Sequence, residues 1–477
     1  MVFSSTEFLW YFLPVVLALY FVLPPAARNP LLALSSILFY TWGARSFVLI
    51  FLFSILLNYV VGRLIGRYRE RGNPIAATRV MVGAIMVNLA ILFGYKYLMF
   101  AIEQVNALAG VFGSGGMNVP EILLPIGISF FTFHGISYVV DVNREESPPM
   151  RSIADYTQYM AFFPQLIAGP IIRYHEIDAQ IRAQVPRRQR LGDLADGFPR
   201  FALGLSKKVL IADQVAPIAD AAFASGDPSF TTAWIGALAY TVQIYFDFSG
   251  YSDMAIGIAR MFGFRFPENF NRPYSALSLT DFWRRWHMSL SRWFRDYVYI
   301  PLGGSRHGEA RTIRNLCIVF FLTGFWHGAA WTFIAWGAFH GGLLIVEKVT
   351  GIARWSDERW VVGRRAATFV LVVFGWVLFR AVDIGQAMSF MGSMLTPTSL
   401  AIEPVMREAI TRENALALAI GLSSVLLPRS FVMGQVIDVA STMRLAPVAR
   451  IAVVLLVPYT AVVVAAGTFS PFLYFQF

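Results

Sequence analysis

Apolar runs long enough to cross a bilayer recur along almost the whole of this 477-residue chain, with short polar connections between them. A helix needs about 20 apolar residues to span the hydrocarbon layer, where its backbone groups must be satisfied internally. Candidate spans lie at 8–23, 31–44, 46–62, 79–101, 120–142, 200–223, 231–260, 313–334, 336–348, 366–383, 413–428 and 450–468. Several are short and some are long enough to bend. They predict an all-α, polytopic integral membrane protein of about 11 transmembrane helices with re-entrant or interfacial pieces. The first run, Phe8 to Leu23, follows no basic segment and precedes no small-residue cleavage site, so it reads as a retained span. Hydrophobic residues make up 57% of the chain and charged ones 14%, against roughly 25% charged in soluble domains. That balance excludes an ordinary soluble enzyme and a disordered chain.

Lys and Arg total 39 and Asp and Glu 29, leaving a net charge of +10. The basic residues sit in short loops, where they orient the chain rather than bind nucleic acid. Arg63, Arg67, Arg69, Arg71 and Arg79 crowd one connection, 103–119 has no Lys or Arg, and then Arg144 and Arg151 appear. This alternation predicts that 63–79 and 143–155 are cytoplasmic, and that 103–119 and the N-terminus lie outside. Arg45 opposes the scheme in the first hairpin. The stretch from Arg182 to Arg190, with Lys207 and Lys208 beyond it, also reads as cytoplasmic. The longest polar stretch, 173–199, falls below domain size. Residues 1–477 are therefore expected to form one membrane domain, with N-terminal helices over 1–144, a motif-bearing core over 145–350 and C-terminal helices over 351–477. No internal duplication of the transporter kind is present. The lone Cys317 makes no internal disulfide and no CxxC site.

Polar side chains inside a bilayer are costly, so each is a functional candidate. His307 lies in a solvated Gly-rich loop, His175 borders a polar loop, and His134 falls within a span. His327 sits near the middle of Ile318–Trp336, a run without Asp, Glu, Lys or Arg. Gly324 and Gly328 flank it and would admit either a substrate or another backbone. His287 belongs to Asp281–Tyr297, where helical periodicity gathers Trp283, Trp286, Leu290, Trp293, Phe294 and Tyr297 on one arc. Arg284, Arg285, Arg292 and Arg295 fall opposite, with Asp281 and Asp296. The segment reads as an interfacial amphipathic helix with His287 at the edge of its apolar arc, pointing inward. A core histidine bonded to one carbonyl fits that position as well as a functional one does.

His340, thirteen residues beyond His327, would project to the opposite face of a continuous helix, so the two are not expected to chelate a metal. With no HExxH and no Cys/His cluster, no metal site is expected at all. A buried imidazole without a metal accepts a proton at neutral pH and suits general-base activation of a hydroxyl. No Gly-x-Ser-x-Gly elbow signals a serine nucleophile. Asp247 and Asp253 stand in the apolar stretch Tyr245–Gly257 and should bond Ser249, Ser252, a tyrosine or an arginine, as a polar clamp between helices.

The stretches Tyr245–Gly257, Pro267–Tyr274, Phe282–Ser291, Trp293–Gly304 and Gly324-Phe-Trp-His-Gly328 resemble the membrane-bound O-acyltransferase family, in its bacterial alginate O-acetylase branch, related to D-alanyl-transferring membrane proteins. Met1–Ser5 and Gly169–Tyr174 are similar to that branch too. The resemblance implies a helical bundle pierced by a tunnel or funnel. It implies a catalytic role for His327, in Trp-His-Gly, and for the second histidine, His287, in Trp-His-x-Ser-Leu. Taken with them as supporting or substrate-binding positions are Trp326, Trp331, Asp247, Asp253, Arg284, Arg285 and Asn269. The arginines face either the phosphates of a donor or anionic lipid.

The implied donor is a cytoplasmic acyl thioester, acetyl-CoA or an acetylated carrier, with no bound cofactor. The implied acceptor is an extracytoplasmic polysaccharide, alginate or a similar exopolysaccharide. A separate extracytoplasmic SGNH-type acetyltransferase is the implied partner, and the bacterial inner membrane the implied location. Two other readings stay open at this point: a transporter or flippase with the histidines in a proton relay, and a non-catalytic scaffold of a polysaccharide-secretion complex.

Overall fold

The computed structural model describes residues 2–113, 116–183, 187–354, 357–397, 399–426, 446–467 and 472–473. Among them there are helices and their connections and no strand. The last residues of the segments expected at 413–428 and 450–468 lie outside the described residues. Four helical stretches are long and apolar enough to cross a membrane: Pro25–Glu70, Pro74–Val111, Val361–Arg380 and Ala446–Ala466. The first two, of 46 and 38 residues, exceed a single crossing at 1.5 Å per residue. The first divides into α2 (Pro25–Ala44) and α3 (Val48–Glu70), preceded by α1 (Leu13–Val22). The second divides into α4 (Pro74–Leu92) and α5 (Leu98–Val111).

The chain forms two compact units. The first holds residues 1–194 and 259–266. Its interior helix is α6 (Ile128–Asn143), whose 16 residues are all buried. Its polar residues, His134 and Asp141 among them, are buried with the apolar ones, so the helix meets protein on every side. It begins later than the run expected at 120–142, because Gly127 caps it at φ +73°, where an added Cβ would lie 2.9 Å from Leu166 O. α3, α4 and α6 pack together. Buried Asn58 and Asn88 lock α3 to α4 by reciprocal amide hydrogen bonds of 3.1 and 2.9 Å. The helices α7 (Ile153–Ala161) and α8 (Tyr174–Arg182) complete this side.

The second unit holds 195–258 and 267–477. It takes in the end of α9 (Arg187–Lys207), then α10 (Asp213–Ala224) after a π-turn at Lys208–Ala212, and most of the 32-residue α11 (Phe230–Met261). The helix expected over Asp281–Tyr297 is instead two short pieces, α12 (Leu279–Trp283) and α13 (Met288–Phe294), with a π-turn at Arg295–Tyr299. Backbone pairing breaks it: Asn271 N donates to Arg285 O and Met288 N to Asn269 O, both at 2.9 Å. His287 turns left-handed between them, at φ 43° and ψ 55°. Helical projection alone therefore misplaces the arginines and tryptophans relative to one another.

The run holding His327 also divides. α14 (Glu309–His327) ends on that histidine and α15 (Trp331–Thr350) follows, so His327 closes a helix rather than occupying the middle of one. Of the two roles open for the flanking glycines, Gly324 serves close backbone approach, while Gly328 makes room for the Phe333 ring. A Cβ at Gly324 would collide with Phe333 O, and one at Gly337 would come within 2.5 Å of Phe320 O. Gly324→Val is expected to push α14 and α15 apart and cost about 1–3 kcal/mol or more. Gly342→Ala, at a position with nothing within 4 Å, should be neutral or slightly stabilising. Thermal unfolding of the purified variants in detergent compares the two. Beyond α15 come α16 (Val361–Arg380), α17 (Arg412–Leu426), α18 (Ala446–Leu455) and α19 (Val457–Ala466).

Candidate active site

Breaking both helices brings the two histidines together in the second unit. Both contact Trp326, whose ring is 4.9 Å from that of His327 and 6.2 Å from that of His287. His327 also packs edge-on to Trp336 and Phe379, each at 5.1 Å, and His287 meets Phe248 at 4.7 Å. Both imidazoles are almost wholly buried, His287 at 1% exposure and His327 at 4%. An aromatic cage of this kind fixes ring orientation and excludes bulk water.

Asn269 sets the state of His287. Its Oδ1 accepts the Ser289 N–H at 3.1 Å and the Ser289 hydroxyl at 2.8 Å. A backbone N–H can only donate, so the amide atom facing it is the oxygen. The same oxygen stands 3.2 Å from His287 Nδ1. A neutral His287 must then carry its proton on Nδ1, leaving Nε2 as the acceptor. Asn269 is thus a fixed part of the site. Ser289, two residues beyond the histidine, went unnoticed in the sequence although it lies inside the quoted motif.

Arg284 and Arg295 line a cavity of about 560 Å³ together with Lys348, Trp283 and Phe320. Its wall reaches Thr323, one helical turn before His327. Arg285 is instead tied to Asp281 at 2.7 Å, and Arg292 contacts Glu268 O at 3.5 Å. Of the four arginines of the expected stripe, Arg284 and Arg295 thus line the cavity, Arg295 also bonding Asp296 at 2.6 Å, while Arg285 and Arg292 make structural bonds. Trp331 opens α15 and is 55% exposed.

The two aspartates form separate clamps. Asp253 accepts from Arg200 Nε at 2.8 Å and Lys207 Nζ at 2.6 Å, and Arg200 also reaches Glu268 at 2.7 Å. Asp247 pairs with Lys208 at 2.7 Å and accepts Leu473 N at 2.9 Å. Of the expected partners, Ser249, Ser252, a tyrosine or an arginine, only an arginine is used: both serine hydroxyls lack a hydrogen-bond partner among the described residues, and lysines and the backbone of Leu473 take their place, because a buried carboxylate is better compensated by a cation than by a neutral hydroxyl. Lys208, read from its charge as cytoplasmic within the candidate span 200–223, is 2% exposed and also holds Asp213 at 2.7 Å.

His340 does not project away from His327, because the helix between them is broken. Trp336 contacts both rings, each at 5.1 Å. His134 is buried in the first unit, and His307 is exposed. His175 opens α8 half-buried, with Nδ1 2.9 Å from Asp141 Oδ2 and 3.3 Å from Glu146 Oε2. The hydrogen bond to Asp141 raises its pKa, against opposition from burial. A raised histidine pKa stabilises the fold below the unfolded value of about 6.5, and the benefit is lost as pH rises through the folded value. The melting-temperature gap between the parent protein and His175→Gln should therefore be widest near pH 6 and narrow by pH 9. A gap independent of pH would show that this ion pair carries no proton-linked stability.

The membrane-bound O-acyltransferase family model matches residues 121–382, more than half of the chain. A probable alginate O-acetylase of Azotobacter vinelandii is 41% identical, with the whole of both chains covered. A probable alginate O-acetylase of Pseudomonas aeruginosa is 46% identical over 81% of this chain and 73% of its own. A peptidoglycan O-acetyltransferase of Helicobacter pylori is 35% identical over 86% of this chain and 82% of its own. The paired histidines, the long apolar helices and these likenesses agree, and the chain belongs to the membrane-bound O-acyltransferase family as a membrane O-acyltransferase.

Proposed function

We propose that this protein moves an acetyl group from a cytoplasmic thioester, acetyl-CoA or an acetylated carrier, towards an extracytoplasmic polysaccharide, alginate or a similar exopolysaccharide. The observation that carries the reading is that the buried rings of His287 and His327 both contact the indole of Trp326. In it, the His327 imidazole takes the proton of the incoming hydroxyl as its oxygen attacks the thioester carbonyl. The tetrahedral intermediate then collapses, the C–S bond breaks and the thiolate leaves, accepting a proton. His287, with its Nδ1 proton directed at Asn269, offers Nε2 to orient donor or acceptor. The Trp326 indole is the candidate donor to the oxyanion. Arg284 at the mouth of the 560 Å³ cavity suits the phosphates of a CoA-type or phosphopantetheine donor.

The acceptor class rests on the likeness to probable alginate O-acetylases and a peptidoglycan O-acetyltransferase. The same reading includes a bundle of about 11 spans around a tunnel, residence in the bacterial inner membrane, and an SGNH-type extracytoplasmic partner that completes the transfer. Mass spectrometry of extracellular polymers from cells with and without the protein tests it. Loss of O-acetyl groups from one polysaccharide is the expected result. An unchanged acetylation pattern in every polymer would sink the proposal.

A further inference from the structure

A second cavity in the same unit, of about 740 Å³, has neither histidine in its wall. Ser206, Ser249 and Ser252 line it, and none of their hydroxyls has a hydrogen-bond partner among the described residues. All three are at least nine-tenths buried. A serine inside a helix has a default partner in the carbonyl four residues back, and Thr241 on the same α11 takes it, from Ala237 O at 2.7 Å. Three hydroxyls without that bond are costly unless something in the cavity receives them.

The charges of the wall favour an anion. Arg200, Lys207 and Arg272 face Asp253 and Glu268, three positive groups against two negative. Arg200 and Lys207 are engaged by those carboxylates. Arg272 donates to Ser424 O at 2.7 Å. Burial lowers its pKa, and Arg365 and Arg285 add like charge nearby. The rest of the wall includes the apolar Leu203, Leu210 and Phe246 beside Tyr245, Tyr274, Ser275, Ser423 and Ser424. At the rim, Ile420 and Leu456 are 49% and 41% exposed. Leu456 belongs to Ala446–Ala466, one of the stretches able to cross a membrane and largely unburied within the protein. A cavity with that rim opens towards lipid rather than water.

We propose that this cavity binds an anionic phospholipid from the bilayer. Its phosphate would lie near Arg272 and the serine hydroxyls, with the upper part of one chain along Leu203, Leu210 and Phe246. The volume lies in the range that encloses a small ligand, so the remainder of the lipid would extend past Ile420 and Leu456.

Full-length protein in nanodiscs of equal phosphatidylglycerol and phosphatidylcholine, ejected for native mass spectrometry, tests this. One retained phosphatidylglycerol per chain is expected. Arg272→Gln should lower its retention about fivefold. Ile420→Trp keeps every polar group and should lower it similarly by filling the chain's path. Gel filtration and melting temperature establish that each variant is folded, and a misfolded one is replaced by Ser249→Ala/Ser252→Ala, for which reduced retention is again expected. Equal retention of the two lipids, or retention unchanged in the folded variants, would overturn the proposal. Displacement of the lipid by inorganic phosphate alone would also overturn it, by identifying a free-anion site.

Discussion

His327→Ala is expected to reduce acyl transfer by about 10²–10⁴-fold, the range a positioned general base supplies. The ring also fills space against Trp326, Trp336 and Phe379, so its removal combines a chemical loss with a packing loss. His327→Gln separates the two, because glutamine retains much of the volume and polarity without a group that titrates near neutral pH. Transfer of labelled acetyl in isolated membranes, normalised to folded protein, should fall in both variants, while the melting temperature should fall mainly in the alanine variant. Near-normal turnover in His327→Gln would remove the imidazole from the chemistry. His287→Gln is a useful companion, because the Asn269–Ser289 bonds at 3.1 and 2.8 Å do not depend on the imidazole.

The second large effect concerns stability. Asp253→Ala leaves Lys207 without its carboxylate and Arg200 with Glu268 alone, in surroundings where Asp253 is 5% exposed. Removing one partner of a buried ion pair costs about 3–5 kcal/mol, because the remaining charge keeps its desolvation penalty. A comparably short pair elsewhere supplies the contrast. Arg295 meets Asp296 at 2.6 Å, but the arginine side chain is 55% exposed. Asp296→Ala should cost only about 0–1 kcal/mol, since water replaces the lost partner. Thermal or denaturant unfolding in detergent should separate the two variants clearly. Similar losses in both would show that burial does not govern the strength of these pairs.

The class of protein was legible in the chain itself. Long apolar runs cannot be hidden in a soluble fold of this charge content, and the absence of strands among the described residues follows from how backbone groups are satisfied in lipid. The motif stretches also pointed to His327, His287 and Asn269 before any geometry was known. What periodicity could not supply was where the helices stop. It treated Asp281–Tyr297 and the run around His327 as continuous, but the chain breaks at His287 and Gly328. These breaks depend on partners remote in sequence, such as Asn269 and Asn271 pairing with the segment around 285–288. Local spacing contains no information about such partners.

The same limit applies to charge. Arg200 and Lys207 lie far along the chain from Asp253, and Lys208 pairs not only with nearby Asp213 but with Asp247, thirty-nine residues on. Sequence alone determined that polar groups in an apolar chain must be paired or used, because the cost of leaving them bare is set by the medium. Which group meets which, and that two imidazoles forty residues apart both contact Trp326, was decided by tertiary packing, because only the folded chain brings distant residues within hydrogen-bond and ring-contact range.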